Sequence, residues 1–592
     1  MKNFWGSFLG ALVGIFITLL FIFLIFITVL ISSISSISPA VEKTVKTKSN
    51  SVLRITFNNS IPERSPKNPF RDFSFGSAEN HTVGLNDILA NIEKAKDDDN
   101  IKGIYLDISS IPAGIATIEE IRNALLDFKS SKKFIVSYSE GYSQGAYYLS
   151  TVSDKIYLNP EGMVDFKGLS AQVMFFKKLL DKLEVEMQIF RHGKFKSATE
   201  PFFLDKMSVA NREQTMTYVR SIWNYLLAGI SKQRNISVAE LNNYADKMLI
   251  NDAPSTLNYK LVDELVYKDE MLDVLAKLTG SKPDKINFVE MYKYVRVPAK
   301  HTEPFSKNEI AVIYATGEIT GGDGGDDVIG SERISKAVRE ARLASEVKAI
   351  VLRINSPGGS AVASDVIWRE VMLAKKDKPV IVSMGDVAAS GGYYIACAAD
   401  VIVAHPNTIT GSIGVFGVFP NMQNLFSNKL GITVDTVNSN KHSDIMSPYR
   451  PVGKDEGEVI QKWIENVYKD FIGKVADGRK MTAAEVDSIG QGRVWSGEDG
   501  KKIGLVDEFG GIKDATALAA SKAKLKQYKI LELPKQKEPF EEIVSNFFDQ
   551  EKIMDSKLAQ EFGSSYENIK HLKNVLRYKG IQARMPYDVV IY

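Results

Sequence analysis

From residue 51 onward the chain alternates two periodicities. Short β-branched and aliphatic runs, such as SVLRITF (51–57), VKAIVLRIN (347–355) and KPVIVSM (378–384), read as buried strands. Stretches with apolar positions three and four apart, such as SERISKAVREARLA (331–344) and SDVIWREVMLAKK (364–376), read as helices between them. Strand–helix alternation predicts parallel βαβ units and therefore an α/β fold. Ahead of these units, Phe8–Ile31 runs for 24 residues without a charge. A bilayer core takes about 20 helical residues, whereas a cleavable signal peptide has an apolar stretch of about 7–15. The pattern predicts an uncleaved N-terminal transmembrane helix over 1–32, followed by a Ser- and Lys-rich tether over 33–50. Lys2 precedes the span and Lys43, Lys46 and Lys48 follow it, so charge does not orient the anchor.

The α/β pattern occurs twice. Val347–Gly414 aligns with Ile101–Gly168 at a constant offset and without a gap, with 18 identities in 68 positions. Asp400 pairs with Asp154, Pro406 with Pro160, and Tyr393-Tyr394 with Tyr147-Tyr148; LVDE recurs at 261–264 and 505–508. The chain is a tandem duplication, with units expected at 51–305 and 306–530. Residues 531–592 read as a charged, mostly helical peripheral extension to which no chemistry attaches.

Composition narrows the function classes. The 592 residues carry 74 Lys and Arg against 72 Asp and Glu, and no basic run, which argues against nucleic acid. One cysteine, Cys397, excludes an intrachain disulfide. No HExxH or P-loop is present, so neither a metal nor a nucleotide is called for.

Candidate chemistry concentrates in the second unit. Asn355-Ser356-Pro357-Gly358-Gly359 follows a strand and makes a tight turn whose backbone N–H groups can face an oxyanion. Ser390 follows the next strand, among Ala388, Ala389, Gly391 and Gly392, just before a helical stretch. Such a serine serves either as a helix cap or as a nucleophile. None of the six histidines sits in a recognisable triad motif, but a lysine kept neutral by burial can act as the base. Lys196, in HGKFKSATEP, is the candidate. The repeats place Gln144 opposite Ser390 and Ser443 opposite Lys196. Each unit lacks what the other retains, which fits one site assembled from both.

At these residues the chain closely resembles the signal peptide peptidase A (protease IV) family in its long duplicated form. The matching text is GKFKSATEPF in the first unit and INSPGG, MGDVAASGGYYIA and NTITGSIGVFG in the second. The resemblance covers nearly the whole chain. It implies Clp-protease/crotonase-like units of β-β-α superhelical type, assembled as a homotetramer. It implies a serine endopeptidase without cofactor that degrades remnant signal peptides at the bacterial inner membrane, with a single-pass anchor and a periplasmic body. By that likeness Ser390 is the nucleophile and Lys196 the general base. Ser412 positions the lysine, and the N–H groups of Gly358 and Gly391 form the oxyanion hole. Two rival readings are a crotonase-like acyl-CoA enzyme and a catalytically silent membrane scaffold; the anchor and the Ser–Lys pairing argue against the first, and the intact pairing against the second. Lys196 is expected from the same chain as Ser390. The loop Gly321–Asp327 (GGDGGDD) is expected near the substrate groove.

Overall fold

The structure, a computed structural model, describes residues 8, 10–22, 24–25, 46–66, 82–300, 306–536 and 581–585. Residues 8, 10–22 and 24–25 are helical and exposed. The rest of the expected anchor lies outside the described residues. Among the described residues no helix is long and apolar enough to cross a membrane.

Each unit is built on a parallel sheet with the same strand order. In the first unit the strands run Asn287–Glu290, Ser51–Ile55, Ile101–Asp107, Phe134–Ser139, Lys155–Leu158 and Glu264–Leu265. The second unit repeats this with Lys529–Leu533, Glu309–Thr316, Val347–Ser356, Val380–Ala389, Val401–Ala404 and Glu508–Phe509. The duplication is thus a repeat of topology as well as of text. Strands such as Val347–Ser356 are buried along almost their whole length, which explains why they read as continuous apolar runs. Helices Ser331–Leu343 and Ala361–Asp377 lie between the expected strands.

The shared motifs do the same work in both units. Tyr147 and Tyr393 donate their hydroxyls to the carbonyls of Leu261 and Leu505, at 2.8 and 3.0 Å. Asp263 and Asp507 accept the N–H groups of Ile156 and Ile402, at 2.8 and 2.7 Å. LVDE is therefore a clasp that ties the last strand of each sheet to its nucleus.

The C-terminal boundary differs from the expected one. Residue 530 falls inside the edge strand Lys529–Leu533, which pairs with Glu309–Ile313. Beyond it, Gln582–Arg584 forms a strand in a separate six-stranded sheet, against Gly358–Ser360. Part of the extension is therefore structural.

The two units meet through buried charge. Arg353, fully buried on a central strand of the second unit, lies 2.9 Å from Glu63 and 2.6 Å from Glu120 of the first. Burial alone would raise the Glu120 carboxyl, but the Arg353 guanidinium, His405 and the Ile512 N–H together outweigh it and hold the group down at about 2. Asp386, near the end of the strand before Ser390, accepts the Thr117 N–H at 2.9 Å at the start of helix Ile115–Phe128. Truncating one partner of a buried ion cluster strands the others, at about 3–5 kcal/mol. Arg353→Met is therefore expected to lower stability by about that much in a denaturation experiment; a loss well under ~1 kcal/mol would contradict this account of the interface.

Candidate active site

Three elements deliver the site. Strand Val380–Ala389 pairs in parallel with Ile409–Gly411, and Ala389 stands opposite Gly411. The residues that follow, Ser390 and Ser412, therefore leave neighbouring strands side by side. A few residues later, Phe416–Asn421 pairs antiparallel with Glu186–Arg191 of the first unit, Phe416 opposite Arg191. That register carries the loop after Arg191, with Lys196 in it, to the two serines.

Ser390 sits in a turn held open by its surroundings. Its φ is +55° and ψ −111°, a conformation rarely adopted by a residue with a Cβ. Its N–H donates to Gly411 at 2.8 Å, and its carbonyl accepts from Tyr394 at 2.8 Å. The backbone is thus fixed from both sides, and the side chain is left free of any capping role. Ser412 also has positive φ, +51°, with its N–H held by the Arg493 carbonyl at 2.7 Å.

Lys196 Nζ lies 2.8 Å from Ser390 Oγ, 3.1 Å from Ser412 Oγ and 3.2 Å from the Ser412 carbonyl. Lys196, Ser390 and Ser412 have no solvent exposure. All three partners of the amine are uncharged. Burial therefore pushes the Lys196 amine well below its ordinary range, with no carboxylate to pull it back. A neutral amine has two N–H donors and one lone pair. Ser412 offers two acceptors, its hydroxyl and its carbonyl. The lone pair is left to take the Ser390 hydroxyl proton, whose other acceptor is the Gly414 carbonyl at 3.3 Å. The expected pairing of Ser390, Lys196 and Ser412 is thus assembled within one chain.

The first repeat shows what was lost there. Gln144 occupies the serine's place and engages its own loop, donating to the Gly168 carbonyl at 3.1 Å and accepting from the Lys167 and Gly168 N–H groups. Ser443, opposite Lys196 in the repeat alignment, is exposed and bonds to Asn440.

The two expected oxyanion donors stand differently. Gly391 opens the helix Gly391–Ala396, directly after Ser390. The Gly358 N–H donates to Ser356 Oγ at 3.1 Å and is engaged within its own turn. The next residue, Gly359, lies between two strands, opposite Ile319 on one side and Ala583 on the other. A Cβ at Gly359 would stand 2.1 Å from the Ile319 carbonyl oxygen, so only glycine fits.

Comparison with known proteins shows the family. The family model described as Peptidase family S49 matches residues 127–282 and again 372–526, together more than half of the chain. A Clp protease model matches 328–410. Protease 4 of Salmonella typhi is 41% identical over 75% of this chain and 73% of its own length. Protease 4 of Haemophilus influenzae is 38% identical over 72% of this chain and 71% of its own. The chloroplastic serine protease SPPA of Arabidopsis thaliana is 33% identical over 79% and 70%. The chain belongs to peptidase family S49. It is a serine protease with two S49 units in tandem and a Clp protease-like fold.

Two supports of this S49 site escape a reading of sequence alone. Gly492 lies against the backbone of Lys196: a Cβ there would stand 2.6 Å from the lysine's N, Cα and Cβ. Gln214, fully enclosed, donates to the Phe195 carbonyl at 3.1 Å and to Ser197 Oγ at 2.9 Å, and accepts from the Val494 N–H at 3.1 Å. It ties the lysine loop to the strand beside Ile409–Gly411. Neither carries a motif; only the enclosure of Gln214 in a polar network would have pointed to it.

Unfolding restores an ordinary lysine pKa of about 10.4. The unfolded chain then binds more protons than the native one between the depressed value and ~10.4, so stability rises with pH across that window. Lys196→Met keeps the volume and removes the titration. It is expected to abolish hydrolysis and to be more stable than the wild type at neutral pH, with the gap closing as pH approaches ~10.4. Thermal unfolding at several pH values checks this; a variant no more stable at neutral pH would show that the buried amine is not neutral at a cost.

Proposed function

We propose that this chain is an endopeptidase that degrades signal peptides left in the membrane after their release from preproteins. One observation carries the peptide reading. An extended segment, Gln582–Arg584, already lies antiparallel along Gly358–Ser360 beside the nucleophile. The cleft is therefore lined by strand edges that recognise main chain, as a peptidase needs and an acyl-CoA site does not. The apolar N-terminal run supports a single-pass anchor, which would hold the enzyme among substrates that are themselves apolar helices. A periplasmic body and a homotetramer are the assembly and placement that the family resemblance suggests.

Ser390 Oγ attacks the scissile carbonyl while the Lys196 lone pair takes its proton. The N–H groups of Gly391 and Gly359 receive the oxyanion, Gly359 taking the place first expected for Gly358 because the Gly358 N–H is turned to Ser356. Lys196, now an ammonium held by Ser412, passes the proton to the leaving amine. It then draws a proton from water, which hydrolyses the acyl-enzyme.

Removal of a serine nucleophile typically costs on the order of 10⁶ in turnover. Ser390→Ala is expected to fall to background on peptide substrates and to lose labelling by a serine-reactive phosphonate, while folding normally. Cleavage at wild-type rate by the pure variant would overturn the assignment.

A further inference from the structure

One short segment, 489–496, is threaded between the two halves of the catalytic site. Its strand Val494–Ser496 pairs antiparallel with Ile409–Gly411, and Val494 stands opposite Gly411, one residue before Ser412. On the other side, the Phe195 N–H donates to the Gln491 carbonyl at 2.9 Å, one residue before Lys196. Between these contacts the Gly492 N–H donates to the Ile413 carbonyl at 2.7 Å. The segment therefore sets the spacing between the base and the serines.

Arg493 acts on both sides at once. Its carbonyl accepts the Ser412 N–H at 2.7 Å. Its guanidinium carbon lies 4.7 Å from the centre of the Phe195 ring and 4.5 Å from the centre of the Trp495 ring. Trp495 is itself pinned: its indole N–H donates to the Ile489 carbonyl at 2.9 Å, and a Cβ on Gly411 would stand 2.8 Å from the ring. A flat, weakly hydrated cation gains from both π faces in such a slot. Ion pairing does not account for the placement. Glu213 pairs with Arg493 at 3.3 Å but is half-exposed, and such pairs contribute little. The buried Nε has no hydrogen-bond partner among the described residues, which is a cost the stack has to offset. Phe195, Arg493 and Trp495 are half-buried, while their neighbours Lys196, Gly492 and Val494 are enclosed. The stack is thus the outer layer over the lysine.

The other charged groups around the lysine loop are engaged elsewhere. Arg191 donates to the Lys196 carbonyl at 3.3 Å, and His192 meets Glu465 at 2.6 Å. Glu200 accepts from Ser208 and Asn211. Lys194 is exposed, with its amine 5.2 Å from the centre of the Phe195 ring.

We infer that Arg493 is a positioning residue for the reaction: wedged between Phe195 and Trp495, it holds the lysine loop against the serine strands and keeps water from the Lys196 amine. This rests on the Ser390–Lys196 peptidase reading above. Without the wedge, the two rings leave a gap that water enters. A hydrated amine protonates more readily, so less of it is free to take the serine proton.

Phosphonate labelling of Ser390 in the full chain, followed as a function of pH, tests this. Arg493→Ala is expected to move the inflection upward toward the free lysine value, by about one unit, and to slow labelling at neutral pH about tenfold through the smaller neutral fraction. Phe195→Ala keeps the guanidinium but opens the same stack. It is expected to move the inflection in the same direction, and the double variant by no more than the larger single shift. If Arg493→Ala does not fold, Arg493→Lys, which cannot fill the slot as a plane, replaces it with the same expected direction. An inflection that stays at the wild-type position in the Arg493 variant would overturn the inference, whatever its rate or stability. A shift in Arg493→Ala with none in Phe195→Ala would overturn it equally, because the charge and not the stack would then be responsible. Both of these results leave the peptidase reading standing. A wild type that is not labelled at Ser390 would overturn that reading, and this inference with it.

Discussion

Lys196 Nζ meets Ser390 Oγ at 2.8 Å in a pocket that water does not reach and where every other partner of the amine is uncharged. A charged ammonium there would face a desolvation cost with no counter-ion to offset it. The amine is a base because it is buried, and the rest of the site serves that burial. Gly492 permits the lysine backbone to come close, Gln214 ties its loop down, and Ser412 absorbs both N–H donors. The strained turn at Ser390 then presents the hydroxyl to the remaining lone pair.

The duplicated sheets explain how such a pocket can exist. Two units of identical strand order leave two equivalent turns and two equivalent loops. One working site needs only one of each. The first unit supplies the lysine, and its own nucleophile turn has become an amide clamp at Gln144. Because the base and nucleophile come from different units, the interface must be rigid. The buried Arg353–Glu63–Glu120 cluster and the Asp386–Thr117 contact fasten the units on strands that lead to Ser390. Buried charges of this kind specify alignment more than they add stability.

Much of this was legible in the residues. Continuous β-branched runs announced the strands because the sheets are buried on both faces, and the constant offset between repeats announced the shared topology. The complementary loss at Gln144 and Ser443 pointed to Ser390 and Lys196. What remained hidden depends on directions that spacing does not encode. Whether Gly358 or Gly359 faces the oxyanion turns on one peptide's orientation, which is set by the Ser356 hydroxyl. Residues 581–585 carry no motif, and the strands they pair with lie far away in the chain, at 358–360 and 416, so their place in the cleft emerges only from the fold.

The central claim is that a neutral lysine activates Ser390. The most direct measurement is the second-order rate of Ser390 labelling by a serine-reactive phosphonate as a function of pH. The account predicts a rate that rises with pH through a single ionisation and levels off well below the free lysine value of about 10.4. A rate that keeps rising to an inflection near ~10.4 would contradict it, because the lysine would then be an ordinary cation at neutral pH and some other group would have to be the base.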